Sequence, residues 1–345
     1  MKTRVLRVDP QHPDPAVIAE TAAILRSGGL VAFPTETVYG LGADATCAKA
    51  VGSIFEAKQR PLTDPIIVHI ADYAALESVA KNIPPIVEML AQQFWPGALT
   101  LILERNEHIP PIVSANQPTV AVRIPAHPVA QALIRAANIP IAAPSANAFS
   151  RPSATTATHA LQDLDGRIDA VLDGGQTPIG VESTVLELSG KYPRILRPGG
   201  VSLEQLQTLL SAVTIRTELK EMGATAEAPG QLIKHYSPRA EVLLFPDDES
   251  LPALIHTAQD RIAAGQRVGI IGLNGEMSAF SDLNIALFPL GMTIEDAARN
   301  LFAGLRSLDE QQVDVILAHG YSRTGIGAAI WDRLLRAAEG KVQGK

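Results

Sequence analysis

One polar stretch, TIRTELKEMGATAEAPGQLIKHYSPR (residues 214–239), constrains this chain more than any other feature. It has no helical or strand period, so it offers no face to bury and reads as a linker. It divides a chain of 345 residues, longer than the ~250–300 that one core usually holds. The two sides differ in kind. After the linker, over 240–345, EVLLF, LPALIHTAQDRIAAG, RVGIIGL, IALFPL, TIEDAARNLFAGLRSLDEQ, VDVILAHG and GIGAAIWDRLLRAAEG alternate strand and helix, the pattern of a small doubly wound α/β domain. Before it, over 1–213, helix signatures (DPAVIAETAAILRSGG, KAVGSIFEAKQ, PIVEMLAQQFWPG, HPVAQALIRAAN) are scattered among short apolar strands. Several of those strands, IDAVLDGG, STVLELSG and RILRPGG among them, follow one another without a helix between. That predicts a mixed sheet with helices over it.

Charge and composition exclude several classes of function. The net charge of −7 argues against bulk binding of nucleic acid or anionic membrane, while leaving room for a local basic groove. No run of ~18 apolar residues is available to span a bilayer. The opening MKTRVLRVDPQHPDP has no apolar core of a signal peptide, so a cytoplasmic protein is expected. Cys47 is the lone cysteine, which excludes an internal disulfide, and there is no Cys/His cluster at zinc spacing.

Four segments of the first part carry more chemistry than packing needs. FPTETVYGLG sets two threonines, a glutamate and a tyrosine at a strand exit, either as a ligand loop or as a tight turn using its own hydroxyls. EAKQRPLTDPIIVHI places Lys58 and Arg60 at a helix end before a strand that carries His69. Those cations suit phosphate, or else only the helix dipole, and a lone His on an apolar strand suits a core. APSANAFSRPS offers Ser145, Asn147, Ser150 and Ser153 among small residues, a plausible phosphate nest without any Walker signature. GVESTVLEL and RILRPGG bring Ser183, Thr184, Arg194 and Arg197. Arg123 lies on the apolar strand TVAVRIP and needs a carboxylate or phosphate partner, because an unpaired buried arginine is costly. If these loops converge, they form a cationic pocket suited to a nucleotide and a small carboxylate. No Ser/His/Asp order and no acid pair stands out, so charge stabilisation and positioning are the expected catalytic means.

In this order and spacing, FPTETVYGLG, AKQRPLTDPIIVHI, FWPGALTLIL, VAVRIPAHPVAQALI, APSANAFSRPSATTA, GVESTVLEL and ILRPGGVS resemble the YrdC-domain family. With its second domain the chain resembles the long two-domain form, the L-threonylcarbamoyladenylate synthases. The resemblance is dense over about residues 10–210, and APGQLIKHYSP matches the linker motif. It implies a twisted mixed α/β sheet with a concave cationic groove, followed by a smaller Rossmann-like domain. The activity implied is condensation of L-threonine, bicarbonate and ATP to threonylcarbamoyl-AMP and pyrophosphate, for modification of tRNA. It also implies residue roles: Lys58, Arg60, Ser145 and Asn147 as the catalytic K-x-R and S-x-N motifs; Arg60, Asp64, Thr119, Ser145, Ser153, Arg197 and Tyr236 toward ATP; and Thr37, His69, Arg123, the Ala143 backbone and Ser183 toward threonine. Tyr236, with His235 beside it, would bring the linker over the site as a lid. Asp64 stands where the family commonly has Asn, which puts a carboxylate near the phosphates. Magnesium is expected to arrive with ATP, with no metal ligand from the protein. The product would pass to tRNA-threonylcarbamoyl transferase proteins, with no membrane contact and no stable direct binding of tRNA. The alternatives are a double-stranded RNA-binding module using the same cations, and an activity housed in the second domain at GIIGLNG or GYSRTGIGAAIWD.

Overall fold

A computed structural model describes residues 2–188, 190, 192–216 and 236–344. The first part runs β1 (Arg4–Arg7), α1 (Pro15–Arg26), β2 (Val31–Pro34), β3 (Tyr39–Asp44), α2 (Ala48–Lys58), β4 (Ile67–His69), β5 (Ala80–Lys81), α3 (Ile86–Phe94), β6 (Leu99–Arg105), β7 (Thr119–Arg123), α4 (Pro128–Ala137), β8 (Ile141–Ala142), α5 (Ala157–Leu164), β9 (Ala170–Asp173), β10 (Thr184–Glu187), β11 (Arg194–Arg197), α6 (Leu203–Gln207) and β12 (Thr214–Ile215). These strands form one 12-stranded sheet in the order β1-β9-β2-β3-β8-β4-β7-β6-β10-β11-β12, with β5 paired to β6. Parallel pairs (β4 with β7, β6 with β10) and antiparallel pairs (β2 with β3, β6 with β7) are mixed through it, as expected.

Strand alternation puts helices on both faces. On β2, Val31 and Phe33 point to one core with Leu25 of α1 and Leu133 of α4, while Ala32 points to the other with Ile54 of α2 and Leu90 of α3. The helix ends follow local chemistry. Asp14 caps α1 by accepting from the Ala16 N–H, and α2 stops where Gln59 turns left-handed (φ 55°). That turn releases Arg60 from the helix just after Lys58.

Two differences from the sequence reading have physical causes. FPTETVYGLG is loop only at residues 35–38; from Tyr39 it returns as β3, antiparallel to β2, with Pro34 opposite Tyr39. Its glycines resemble turn signals but serve packing, since a Cβ on Gly42 would lie 2.8 Å from Phe33 and 2.9 Å from Ile141. Likewise Thr214 and Ile215, the first residues of the expected linker, pair with β11 as an edge strand. Residues 217–235, the bulk of the expected linker and lid, lie outside the described residues, as does His235.

The second part runs β13 (Glu241–Phe245), α7 (Leu251–Ala263), β14 (Val268–Gly272), β15 (Ala286–Pro289), α8 (Ile294–Glu310), β16 (Val315–His319) and α9 (Gly327–Ala337). Its four strands are parallel in the order β13-β16-β14-β15. Its core does not stop at its own border. Val38 and Val181 of the first part and Tyr236 are packed into the same apolar cluster as Leu301, Phe302 and Ile330. At Gly180 (φ 81°) the backbone meets α8 so closely that a Cβ would fall 2.3 Å from the Arg299 Cα. Among the described residues no helix is long and apolar enough to cross a membrane.

Candidate active site

The carboxyl ends of β4 and β7 lie side by side, and parallel register makes His69 and Arg123 direct neighbours. Both side chains are buried. Arg123 has the carboxylate partner its burial demands, Glu36, from the β2–β3 loop: Nη1 to Oε1 is 3.1 Å. Glu36 is itself fixed, its Oε2 accepting from the Ala126 N–H at 2.9 Å. Arg123 also donates from Nε to His69 Nε2 (3.0 Å) and from Nη2 to Thr37 Oγ1 (3.1 Å). Since Nε2 accepts, the imidazole is neutral with its proton on Nδ1. Burial, and then the charge of Arg123, hold His69 well below the usual histidine range. Of five guanidinium N–H groups three are engaged, leaving one on each terminal nitrogen.

Arg60 reaches the same space from the end of α2. It donates to the carbonyls of Asp64 (3.1 Å) and Pro65 (2.7 Å) and ion-pairs with the buried Asp64 carboxylate at 3.0 Å. Asp64 is therefore already matched to a cation. Lys58 is buried behind the site, its Nζ donating to the carbonyls of Ser145 and Asn147. Burial, and then Arg60, push its pKa well down, with Asp163 and Asp64 opposing. Lys58 thus ties α2 to the 145–147 turn. Within that turn the Asn147 amide donates to the carbonyls of Ala148 (2.8 Å) and Arg151 (2.9 Å).

The third side comes from the turn before β10 and the end of β11. Arg197 donates to the Ser183 carbonyl (Nη2, 2.9 Å) and hydroxyl (3.2 Å), and Ser183 Oγ pairs with Thr100 Oγ1 at 2.8 Å. A Cβ on Gly199 would lie 2.3 Å from the Glu182 carbonyl oxygen, so glycine is what lets these two turns clasp. Glu182 is buried. It accepts from Ser153 Oγ on one oxygen and from Arg333 Nε of α9 at 2.7 Å on the other. Burial pushes its pKa up, but Arg333, and then Arg197, hold it below the usual carboxylate value. Tyr236 closes the top. Its ring is fully buried, 5.2 Å from that of Phe302 of α8, and burial pushes its hydroxyl up to about 12.

These groups surround one cavity, lined by Thr37, Arg60, His69, Arg123, Ala143, Ser145, Glu182, Ser183, Arg197 and Tyr236. Its volume is only ≈ 50 Å³. Pockets that engulf ligands run ~300–1,000 Å³, so this form is nearly shut. Three arginines around so small a space, offset by Glu36 and Glu182, can bind and polarise anionic groups out of water. Among the described residues no group of three or more His, Cys, Asp or Glu is placed to hold a metal ion.

Comparison with known proteins bears on the same residues. The family described as telomere recombination (Sua5, YciO, YrdC) matches residues 23–199. The family described as the threonylcarbamoyl-AMP synthase C-terminal domain matches residues 201–339. A Pyrococcus abyssi threonylcarbamoyl-AMP synthase is 46% identical over 320 residues, 92% of this chain and 92% of that one. The chain belongs to the threonylcarbamoyl-AMP synthase family. A Bacillus subtilis threonylcarbamoyl-AMP synthase is 44% identical over 97% of this chain and 94% of its own. The crystal structure of P. abyssi Sua5 complexed with L-threonine superposes with a TM-score of 0.93 at 42% identity, covering 99% of both chains. The mixed α/β sheet followed by a separate parallel domain is therefore the architecture of this synthase family.

Of the residues expected in such a synthase, Thr37, Arg60, His69, Arg123, Ala143, Ser145, Ser183, Arg197 and Tyr236 line the cavity. Lys58, Asp64 and Ser153 stand one contact behind it, on Ser145, Arg60 and Glu182 respectively. Asn147 sits beside Lys58 in the turn behind. Thr119 is set apart, at the start of β7, four residues before Arg123 and opposite Glu104 of β6. Sequence reasoning gave Glu36 and Glu182 no role, although both lie inside quoted motifs and Arg123 called for a carboxylate or phosphate partner. It missed Arg333 entirely. The RNA-binding alternative is not favoured: these cations face an almost closed cavity and Arg60 and Arg123 are already paired with carboxylates, whereas duplex binding needs them exposed. The reading that put the activity in the second domain gains no support from the family matches either.

Proposed function

We propose that this chain condenses L-threonine, bicarbonate and ATP to L-threonylcarbamoyladenylate and pyrophosphate, using the cavity around Arg123, Arg60 and Arg197. The observation that supports this most is Arg123 itself: a buried guanidinium held on three sides, with one N–H left on each terminal nitrogen. That is the donor pattern of a bidentate carboxylate site, and it suits the carboxylate of threonine. Neutral His69 and Thr37 Oγ1 hold the fork and present no competing cation.

The threonine amine, uncharged, takes up the bicarbonate carbon with loss of water, giving a carbamate. A carbamate oxygen then attacks the α-phosphorus in line, and the bond to pyrophosphate breaks. Arg60 and Arg197 face the charge that grows on the phosphate oxygens, Ser145 and Ser183 add hydroxyl donors, and Lys58 and Asn147 hold the Ser145 turn in place. Magnesium carried by the triphosphate would supply further charge neutralisation. A closed cavity also protects carbamate and adenylate from water. ATP does not fit in ≈ 50 Å³, so the cavity must widen before nucleotide enters. The product is an activated intermediate, to be used by transferase proteins that modify tRNA. Pyrophosphate release, with mass spectrometry of the nucleotide product, tests this. Release should require all three substrates together, and release from ATP without threonine would overturn the assignment.

A further inference from the structure

Thr100 interrupts the apolar run of β6. Leu99 and Leu101 on either side of it face the large core. Thr100 shares the opposite face with Ile102, which packs with Ile67, Ala121, Val185 and Leu196. Of these, Ile67 also lines the cavity. Thr100 is fully buried in this apolar layer, and its Oγ1 lies 2.8 Å from Oγ of Ser183, the residue just before the neighbouring strand β10. Among the described residues the Thr100 hydroxyl makes no other hydrogen bond. Ser183 Oγ also receives Arg197 Nη2 at 3.2 Å, and a guanidinium can only donate. Ser183 lines the cavity, whereas Thr100 stands behind it.

These contacts fix which way the protons run. If Ser183 donated to Thr100, the Thr100 proton would be left in an apolar layer with no acceptor, which burial makes costly. With Thr100 donating to Ser183, each of these donors has a use. Ser183 Oγ takes one proton from Thr100 and one from Arg197, which fills both its lone pairs, and its own proton is left for the cavity. We propose that Thr100 is a positioning residue of the active site: by donating to Ser183 it turns the Ser183 hydroxyl into a fixed donor, to be met by an anionic oxygen of the bound substrates, carboxylate or phosphate. This rests on the reading of the cavity as the substrate site. Thr100 itself touches no substrate. Without it one lone pair of Ser183 is freed, and an orientation that was set before binding must be set by the ligand instead. A donor already aimed favours an anion, and a ligand group that itself donates finds no acceptor there. The one polar side chain within LTLIL thus has a use beyond packing.

The test uses the full chain, with kcat and KM for threonine and for ATP read by pyrophosphate release and stability read by urea titration. T100V, nearly the same shape without the hydroxyl, should lower kcat/KM about five- to tenfold for the substrate whose oxygen meets Ser183. A rise in the threonine KM assigns that oxygen to the carboxylate, and a rise in the ATP KM assigns it to a phosphate. T100S, which keeps a hydroxyl in place, should stay within about twofold of wild type. In the S183A background T100V should change kcat/KM by less than about twofold, because no hydroxyl is left to be set. If T100V does not fold, T100A carries the same expectations. T100V that loses stability while both substrates keep their wild-type kcat/KM, T100S as impaired as T100V, or T100V as costly in the S183A background as alone, overturns the inference. A wild type that releases no pyrophosphate with threonine, bicarbonate and ATP together overturns the functional reading with it, whereas an active wild type with an equally active T100V overturns this inference alone.

Discussion

The two ends of the cavity are built on the same device, a buried glutamate against a buried arginine, but they are assembled differently. At one end Glu36 of the β2–β3 loop meets Arg123 at the end of β7 at 3.1 Å, across 87 positions but within one sheet. At the other, Glu182 meets Arg333 at 2.7 Å across the contact between two domains. In the first pair the arginine is the group that lines the cavity, from the end of its strand. In the second it is the glutamate that lines the cavity, and the arginine stands behind it. A shared motif thus presents a cation to the cavity in one place and a carboxylate in the other. The first pair depends on the sheet alone, and the second on how the domains dock.

The comparison can be broken first at Arg123. R123M should abolish threonine-dependent turnover, at least about a hundredfold in kcat/KM, because two bidentate charge-assisted bonds are lost. It should also destabilise the fold by about 3–5 kcal/mol, since Glu36 is left buried without its cation. Steady-state kinetics and urea titration read the two effects separately. An unchanged threonine KM would remove Arg123 from the ligand-facing role. R197M, at the other end, should raise the KM for ATP about tenfold or more with a smaller change for threonine, and equal effects on both substrates would erase the distinction between the ends. A smaller and opposite effect is expected for D64N. It removes the anion paired with Arg60 at 3.0 Å while keeping the shape, so ATP should bind tighter by about two- to threefold at low salt. Weaker ATP binding in D64N would show that Asp64 works with the nucleotide rather than against it.

The least dramatic contrast is in acid. His159 on α5 is held down to about 4 by burial, and then by the charge of Arg306 from α8. The unfolded chain takes up this proton near pH 6.5 and the folded chain only near 4. Unfolded molecules therefore bind more protons between those values, and stability falls as pH drops through that window, levelling off below it. The loss is about 1–3 kcal/mol. H159Q should flatten this part of the stability curve in urea titrations at pH 7, 6, 5 and 4.5. A slope as steep as that of wild type would assign the acid sensitivity elsewhere, to buried His69 first.

Much of the frame was legible in the residues. The strands PIIVHIA, LTLILER and TVAVRIP and the helices before and after them are written in period and caps, and the order of motifs pointed to the family. The cost of burying Arg123 unpaired was enough to call for a carboxylate or phosphate partner. What escaped notice did so for identifiable reasons. Gly40 and Gly42 made β3 look like a turn, because a glycine kept for close packing and one kept for left-handed backbone are the same letter. Arg333 carried a signal that went unused. It lies on the apolar stripe of α9 with Ile330, Leu334 and Ala337, the same anomaly that singled out Arg123.

By itself the amino-acid order determined most of the elements and which side chains were too costly to bury without a partner, since those follow from local periodicity and desolvation. Only the tertiary structure decided which partner each received. Glu36 and Glu182 look alike in sequence, and Lys58 and Arg60 stand two residues apart. Yet Glu36 anchors a cavity-facing arginine while Glu182 is itself anchored, and Arg60 faces the cavity while Lys58 braces its wall. Such assignments depend on distances of a few ångströms between segments far apart in the chain. They are fixed when β4 and β7 align and α9 docks, and no shorter-range rule contains them.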